Sequence, residues 1–393
     1  MIFLLSVVLH GYIALRLLPP WWSPAAWPAP EGLAWGPLLG GTLWAWLAAS
    51  TVLVPLGLLA RRQAAAQRWS PQAAERVATL GLVSLGAFST LFVLTVGRDL
   101  LLGLSALLGT VLPAGRLQDG AVFATSAAVF GATLVVTAIG AINARRTARV
   151  VSVDVPIAGL PPALAGYTIA QISDIHVGPT IKAPYLEAIV DRVNTLEADA
   201  VAVTGDLVDG TVRDLGPHVA PLARLRARDG VFVVTGNHEY YSGADAWIRE
   251  LRRLGLRVLL NEHVPVRRGG ATLVLAGVTD VSAHHFDSSH RSDPVAALAG
   301  APAQAAARVL LAHQPRSAPA AVRAGFDLQL SGHTHGGQFW PWNLFVPLQQ
   351  PFTAGLHRVE RMWVYVSRGT GYWGPPKRFG APSEITRVRL VPA

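Results

Sequence analysis

Residues Leu328 to Trp340 read LQLSGHTHGGQFW: an alternating apolar segment runs straight into Gly332, His333, His335 and two further glycines. Packing alone gives no reason to place two imidazoles at the end of a strand. Such a pair is common surface or core filler, so its meaning depends on partners elsewhere. The same arrangement recurs four more times. YTIAQIS is followed by Asp174 and His176, AVAVT by Gly205, Asp206 and Asp209, VFVVT by Gly236, Asn237, His238 and Glu239, and RVLLA by His313.

Between these clusters, short apolar runs alternate with helical stretches. The segment VVSVDVPI alternates like a half-buried strand, and helices are predicted near residues 184–195, 222–226 and 244–254. The alanine-rich AALAGAPAQAAA, residues 296–307, reads as another helix. Strands interleaved with helices predict an α/β layered domain over residues 145–393. In open α/β sheets ligands bind beyond the strand ends, which is where all five polar clusters fall. The chain contains no cysteine, so a metal there would have only oxygen and nitrogen donors, a set suited to Mn, Fe or Zn. Glycines before the candidate ligands allow the sharp turns such a cage needs.

The N-terminal part differs in kind. Hydrophobic residues make up 51% of the chain and charged residues 15%, and the excess is concentrated in residues 1–144. Four apolar runs, 2–18, 33–59, 77–96 and 121–142, approach or exceed the ~20 residues a bilayer crossing needs. A cleaved signal peptide would show one run after a basic start, and neither feature fits. These runs predict an all-α transmembrane region of about four helices in residues 1–144, surrounded by membrane lipids. Arg61, Arg62, Arg68 and Arg76 lie between the second and third runs, and Arg145, Arg146 and Arg149 follow the fourth. Arg16 with Glu31, and Arg98, Asp99, Arg116 and Asp119, occupy the other two loops. The positive-inside rule makes the arginine-rich side, and with it the C-terminal domain, cytoplasmic. A further apolar stretch from Leu100 to Leu112 would reverse that side if it crossed separately. The runs hold His10 and Arg16 but few other ionisable groups, which favours an anchor over a transport path.

The five clusters, in order D-x-H, G-D-x-x-D, G-N-H-E, a lone H and G-H-x-H, resemble the calcineurin-like metallophosphoesterase superfamily over roughly residues 165–340. With the apolar N-terminal part, the chain resembles the membrane-associated branch that includes the YkuE and YaeI types. SRGTGYWGPPKRFGAPSEIT is similar to that branch's closing segment but has Pro382-Ser383-Glu384-Ile385 where the branch has a shorter proline-glutamate-isoleucine ending. The resemblance implies a four-layer α/β/β/α sandwich and two divalent ions, with Mn favoured. It implies one ion held by Asp174, His176, Asp206 and His335, and a second by Asp206, Asn237, His313 and His333, with Asp206 bridging. Two cations about 3.5–4 Å apart stabilise both the attacking and leaving oxygens of an in-line displacement, and a water between them deprotonates near neutral pH. His238 takes the family position facing the phosphate, where an imidazolium can protonate the leaving oxygen. Asp209 and Glu239 are expected to orient ligands, and Arg368 and Arg378 to serve as planar forks for phosphate.

The implied activity is hydrolysis of a phosphodiester or pyrophosphate. QFWPWNLFVPLQQPF, Gln338 to Phe352, places dense aromatics beside the catalytic edge and fits an acyl path, a bilayer contact or a packed lid. An amphiphile such as UDP-2,3-diacylglucosamine, from lipid A synthesis in a bacterial inner membrane, is therefore the leading substrate. The alternatives are a general phosphodiesterase on soluble nucleotides and a non-catalytic metal or phosphate sensor. No nucleic acid is expected, because the bases show no aromatic-interleaved stripe. The order of assembly is open. Of the histidines outside the clusters, His284 and His285 follow an apolar strand but are expected to be ordinary loop residues.

Overall fold

A computed structural model of the chain describes residues 1–22, 35–65, 68–109 and 119–393. Two compact units emerge: Met1–Ala141 with Gly374–Lys377, and Ile142–Trp373 with Arg378–Ala393. The first is built from helices α1 (Ile2–Leu17), α2 (Trp35–Ala65), α3 (Pro71–Gly109) and α4 (Asp119–Arg145), the last of which runs into the second unit. Three segments, Pro37–Ala60, Pro71–Leu108 and Val122–Arg145, are long and apolar enough to cross a membrane. The expected first span forms a helix of 16 residues, shorter than the ~20 of a full crossing. The stretch beginning at Leu100 continues α3 without a break as far as Gly109. Residues 110–112, Glu31, Leu33 and Arg116 lie outside the described residues.

The second unit contains two six-stranded sheets. One holds β1 (Arg149–Ile157), β2 (Thr168–Ile172), β3 (Ala200–Val203), β4 (Val231–Val233) and β5 (Arg257–Val258). The other holds β6 (Glu262–Arg268), β7 (Ala271–Gly277), β8 (Ala307–Leu311), β9 (Leu328–Ser331), β10 (Gly355–Val359) and β11 (Met362–Val366). The last strand, β12 (Glu384–Pro392), joins the first sheet, giving the orders β1-β12-β2-β3-β4-β5 and β10-β11-β9-β8-β7-β6. β2 through β5 are parallel, and so are β7, β8, β9 and β11, while β6 and β10 close the second sheet antiparallel.

Alternation along each strand sorts side chains into three apolar layers. Ile169, Phe232, Leu275, Val309, Leu330 and Val388 pack between the sheets. Ile172, Val201 and Val233 face helices α5 (Ala183–Asn194), α6 (Val212–Val219) and, beyond the short α7 (Asn237–Tyr241), α8 (Ala244–Arg253). Val274, Leu310 and Val364 pack against the helix Ala318–Ala324 on the far side. The outcome is the four-layer sandwich. Strands buried on both faces read as continuous apolar runs, which is the character of AVAV and ARVLL.

Two local expectations need correction. The helix expected near residues 222–226 lies earlier, as α6, and Pro217 and Pro221 tighten the adjoining residues into a 3-10 turn over Ala220–Arg224. The alanine-rich segment is helical only over Pro294–Ala297, because left-handed Gly300 and then Pro302 stop propagation that alanine alone would favour.

In the helical unit, α2 and α3 meet where two glycines face each other. A Cβ on Gly81 would lie 2.6 Å from the Gly57 Cα and 3.0 Å from the Gly57 nitrogen, so the backbones touch only because both side chains are missing. Gly81→Leu should lower stability by about 1–3 kcal/mol through overpacking. Gly103→Leu, on the same helix with nothing within 4 Å, should be nearly neutral. Thermal unfolding of the two variants in detergent measures the contrast.

Candidate metal centre

Each polar cluster begins where a central strand stops. Past β2 and β3 the chain keeps pairing in irregular form: Asp174 N donates to Gly205 O at 3.0 Å, His176 N to Asp206 O at 3.1 Å and Val177 N to Leu207 O at 2.8 Å. These bonds hold Asp174, His176 and Asp206 at φ of 54°, 56° and 54°, and His333 and His335 lie at 70° and 52°. Non-glycine residues rarely adopt this left-handed region, at a cost of order 1–3 kcal/mol each. Five such residues in one place indicate backbone shaped for ligand direction rather than for its own comfort. Gly236 is obligatory for a different reason, since a Cβ there would overlap the Asp206 carboxylate.

Glu239 fastens two of these loops together. Its buried carboxylate accepts from the backbone nitrogens of Gly236 at 2.6 Å, Leu207 at 2.7 Å and Asp206 at 3.0 Å. Asp174 accepts in the same way from His333 N, at 2.9 Å and 3.0 Å, tying the first cluster to the last. His313 Nδ1 lies 2.8 Å from Thr204 O, which fixes that nitrogen as a donor and turns Nε2 toward Asp206 Oδ2, 3.1 Å away.

The side-chain atoms left over converge. Asp174, His176 and His335 form one group, Asp206, His313 and His333 another, and His176, Asp206 and His238 a third, each with its donor atoms within 4.8 Å of one another. His176 Nε2 lies 3.0 Å from His335 Nε2, and His313 Nε2 lies 3.1 Å from His333 Nδ1. Asn237 Oδ1 is buried without a hydrogen-bond partner. An orphaned buried amide oxygen beside lone pairs aimed at each other is the arrangement expected around cations. The donor set fits two divalent ions.

The charges of these groups settle accordingly. Burial resists ionisation of His313, but Asp206 beside it outweighs burial and holds the imidazole well above its usual range, with Asp206 held correspondingly low. Burial and the neighbouring His313 push His333 down to about 3. For His238, burial is overcome by the hydrogen bond to Asp209 and by the fields of Asp206, Asp209 and Glu239, which lift it to about 9. Its Nδ1 donates to Asp209 Oδ1 at 2.5 Å, and its Nε2 lies 3.9 Å from Asp206 Oδ2. Asp209, held well below the carboxylate range by His176 and His238 despite burial, also lies 3.3 Å from His176 Nδ1. One carboxylate thus orients two rings.

The two arginines behave differently from each other. Arg368 Nη1 pairs with buried Glu384 at 2.9 Å and remains 36% exposed. Arg378 is fully buried, donating to the carbonyls of His335 and Arg368 and placing Nη2 3.0 Å from His335 Nδ1. It braces a candidate ligand rather than offering a free fork to a phosphate. His284 turns back to Val281 O at 2.9 Å, and neither it nor His285 joins a metal-capable group among the described residues. Sequence reading overlooked Tyr241 and Trp373, whose rings stand 5.2 Å and 5.7 Å from His238 and are 61% and 54% exposed. The GYWG context of Trp373 was the available signal.

A family model described as calcineurin-like phosphoesterase matches residues 167–337. A cattle protein named transmembrane protein with metallophosphoesterase domain is 42% identical over 273 residues, 66% of this chain and 61% of that one. A zebrafish protein of the same name is 38% identical over 298 residues, 73% of this chain and 68% of that one. The matched segment therefore spans three fifths to two thirds of these relatives. The uncharacterised metallophosphoesterase YkuE of Bacillus subtilis is 30% identical over 242 residues, 59% of this chain and 81% of its own.

Because the folded pKa of His238 exceeds its ordinary value of 6.5, the protonated ring stabilises the metal-free protein below pH 6.5 and the benefit is lost as pH rises through about 9. The shift sets an upper bound of roughly 3 kcal/mol on the loss. Unfolding midpoints of metal-stripped protein should fall across that window. His238→Gln and Asp209→Asn should each flatten the fall.

Proposed function

Because the chain belongs to the calcineurin-like metallophosphoesterase family, we propose that it is a membrane-anchored hydrolase of phosphodiester or pyrophosphate bonds that uses two divalent cations, manganese before iron or zinc. The observation that carries this reading is the convergence of the groups Asp174–His176–His335 and Asp206–His313–His333, with His176 Nε2 3.8 Å from Asp206 Oδ2 and Asn237 Oδ1 buried without a partner. Asp174, His176, Asp206 and His335 would hold one cation, and Asp206, Asn237, His313 and His333 the other. When bound, the cations supply Lewis acidity and acidify a water.

The chain's own groups divide the remaining work. Asp206 would hold negative charge between the two cation positions and so offset their repulsion. Asn237 contributes a neutral oxygen and so preserves the electrophilicity of the pair. His238, with Nδ1 committed to Asp209, presents Nε2–H inward and carries the proton that a departing alkoxide or phosphate oxygen needs. Arg378 holds the His335 ring from behind, and Arg368 keeps donors available at the exposed edge.

An amphiphilic substrate suits the rim. Tyr241, Phe286 and Trp373 are all more than half exposed, and the two rings beside His238 bring apolar surface to the proton donor. UDP-2,3-diacylglucosamine, met at the cytoplasmic face of a bacterial inner membrane, combines a pyrophosphate with acyl chains and is the specific substrate we favour. The arginine distribution supports that side.

Asp206→Asn should lose bound metal and turnover together, read by elemental analysis alongside rate. His238→Ala should keep the metal and lose about 10²–10⁴-fold in turnover. Wild-type activity in either variant overturns these roles. Assayed with Mn, the enzyme should turn over UDP-2,3-diacylglucosamine faster than a cyclic nucleotide or an aryl phosphodiester; turnover of the soluble compounds alone would reassign it to general phosphodiester hydrolysis.

A further inference from the structure

The loop between β9 and β10 carries an apolar surface that the catalytic reading does not use. Trp340, Trp342, Leu344, Phe345 and Leu348 are 48%, 41%, 63%, 51% and 80% exposed. The loop nevertheless has defined structure. It folds into two 3-10 turns, Trp342–Leu344 and Val346–Leu348. Its ends are fastened by Thr334 Oγ1 donating to Thr353 O at 2.6 Å and by buried Gln350 donating to Gln314 Oε1 at 3.0 Å. A chain segment held in place with its largest apolar side chains outward is built to meet something apolar.

Two features identify what that is. From Gln338 to Phe352 the chain has no ionisable residue, so the surface offers a soluble partner no charge to recognise, while tryptophan suits the polar–apolar boundary of a bilayer. The base of the loop is also hydrogen-bonded to the residues on either side of Gly374–Lys377. Gln338 exchanges hydrogen bonds with Trp373 at 2.8 Å in both directions, and Trp340 N donates to Phe379 O at 2.9 Å. Trp373 and Phe379 bracket Gly374–Lys377, the segment that groups with the helices, where Lys377 Nζ donates to Gly86 O at 3.0 Å. The helix α3 that receives this lysine is one of the three able to span a membrane.

We propose that the Phe339-to-Phe352 loop is an interfacial anchor that seats its exposed tryptophans, Phe345 and Leu348 in the headgroup–acyl boundary of a phospholipid bilayer. The anchor holds the mouth beside Trp373 and His238 at the lipid surface, so a substrate whose phosphate sits at headgroup depth reaches the site without leaving the bilayer. The inference stands independently of the catalytic assignment, and its test does not read activity.

The absence of cysteine makes the test direct. Full-length protein bearing Leu348→Cys, Phe345→Cys or, as a control on the same unit, Val295→Cys (66% exposed in the wild type) is labelled with bimane and reconstituted into phosphatidylcholine–phosphatidylglycerol vesicles. Labels at positions 348 and 345 should lose most of their emission when the acyl chains are brominated and resist aqueous iodide, with the reverse at position 295. Iodide quenching at 348 and 345 equal to that at 295 overturns the anchor. Shielding from both quenchers also overturns it, because the loop would then be covered by protein, whether a second copy or its own unit. Loss of turnover with the quenching pattern intact counts against the catalytic reading alone.

Discussion

The Asp206 carboxylate is the point that the rest of the site answers to. It is buried, held in left-handed backbone, crowded by the imidazoles of His176, His238 and His313, and hydrogen-bonded by the amide of His238. A carboxylate in such a place is tolerable only with positive charge beside it. Protons on His313 and His238 supply that charge in the metal-free protein, and divalent ions would supply it in the loaded one. The surrounding loops are shaped by the same demand. Glu239 grips three amides so that the turn carrying Asp206 cannot relax, and Gly236 surrenders its side chain to let that turn pass.

Around this polar centre the molecule is unusually apolar. The helical unit supplies three segments suited to a bilayer, and the second unit adds exposed aromatic surface beside His238. Under the proposed reading, these properties would serve to bring a charged phosphate to two cations while an apolar portion of the substrate stays in hydrocarbon.

Much of this was legible in the sequence because each candidate ligand is tethered to the end of an apolar strand. Finding AVAVT or RVLLA locates the next polar residue to within a turn, and parallel strands then deliver all of them to one edge. Helix extent was harder to read. The continuous α3 contains both the expected third span and the extra stretch from Leu100, and apolar composition does not show where one ends and the next begins. The alanine run 296–307 misled because propensity was weighed without Gly300 and Pro302. Side-chain direction was not legible at all. Arg378 lies among glycines and prolines, the setting of a solvated loop, yet its guanidinium is fully enclosed by carbonyls gathered from distant segments. The Thr204 carbonyl that sets the His313 tautomer is likewise a product of tertiary structure alone.

The place of β12 has a consequence for how the molecule is made. β1 follows α4 directly, yet it enters its sheet only through β12, which lies between β1 and β2. During synthesis the helices and eleven strands emerge first, leaving β1 without a neighbour and β2 with an open hydrogen-bonding edge. The lane beside the edge strand is therefore filled last, by a strand that must slot between two others already in position. Until it arrives, the nascent catalytic unit is a sheet with a gap, and its exposure to mispairing grows with every delay in translating the final stretch.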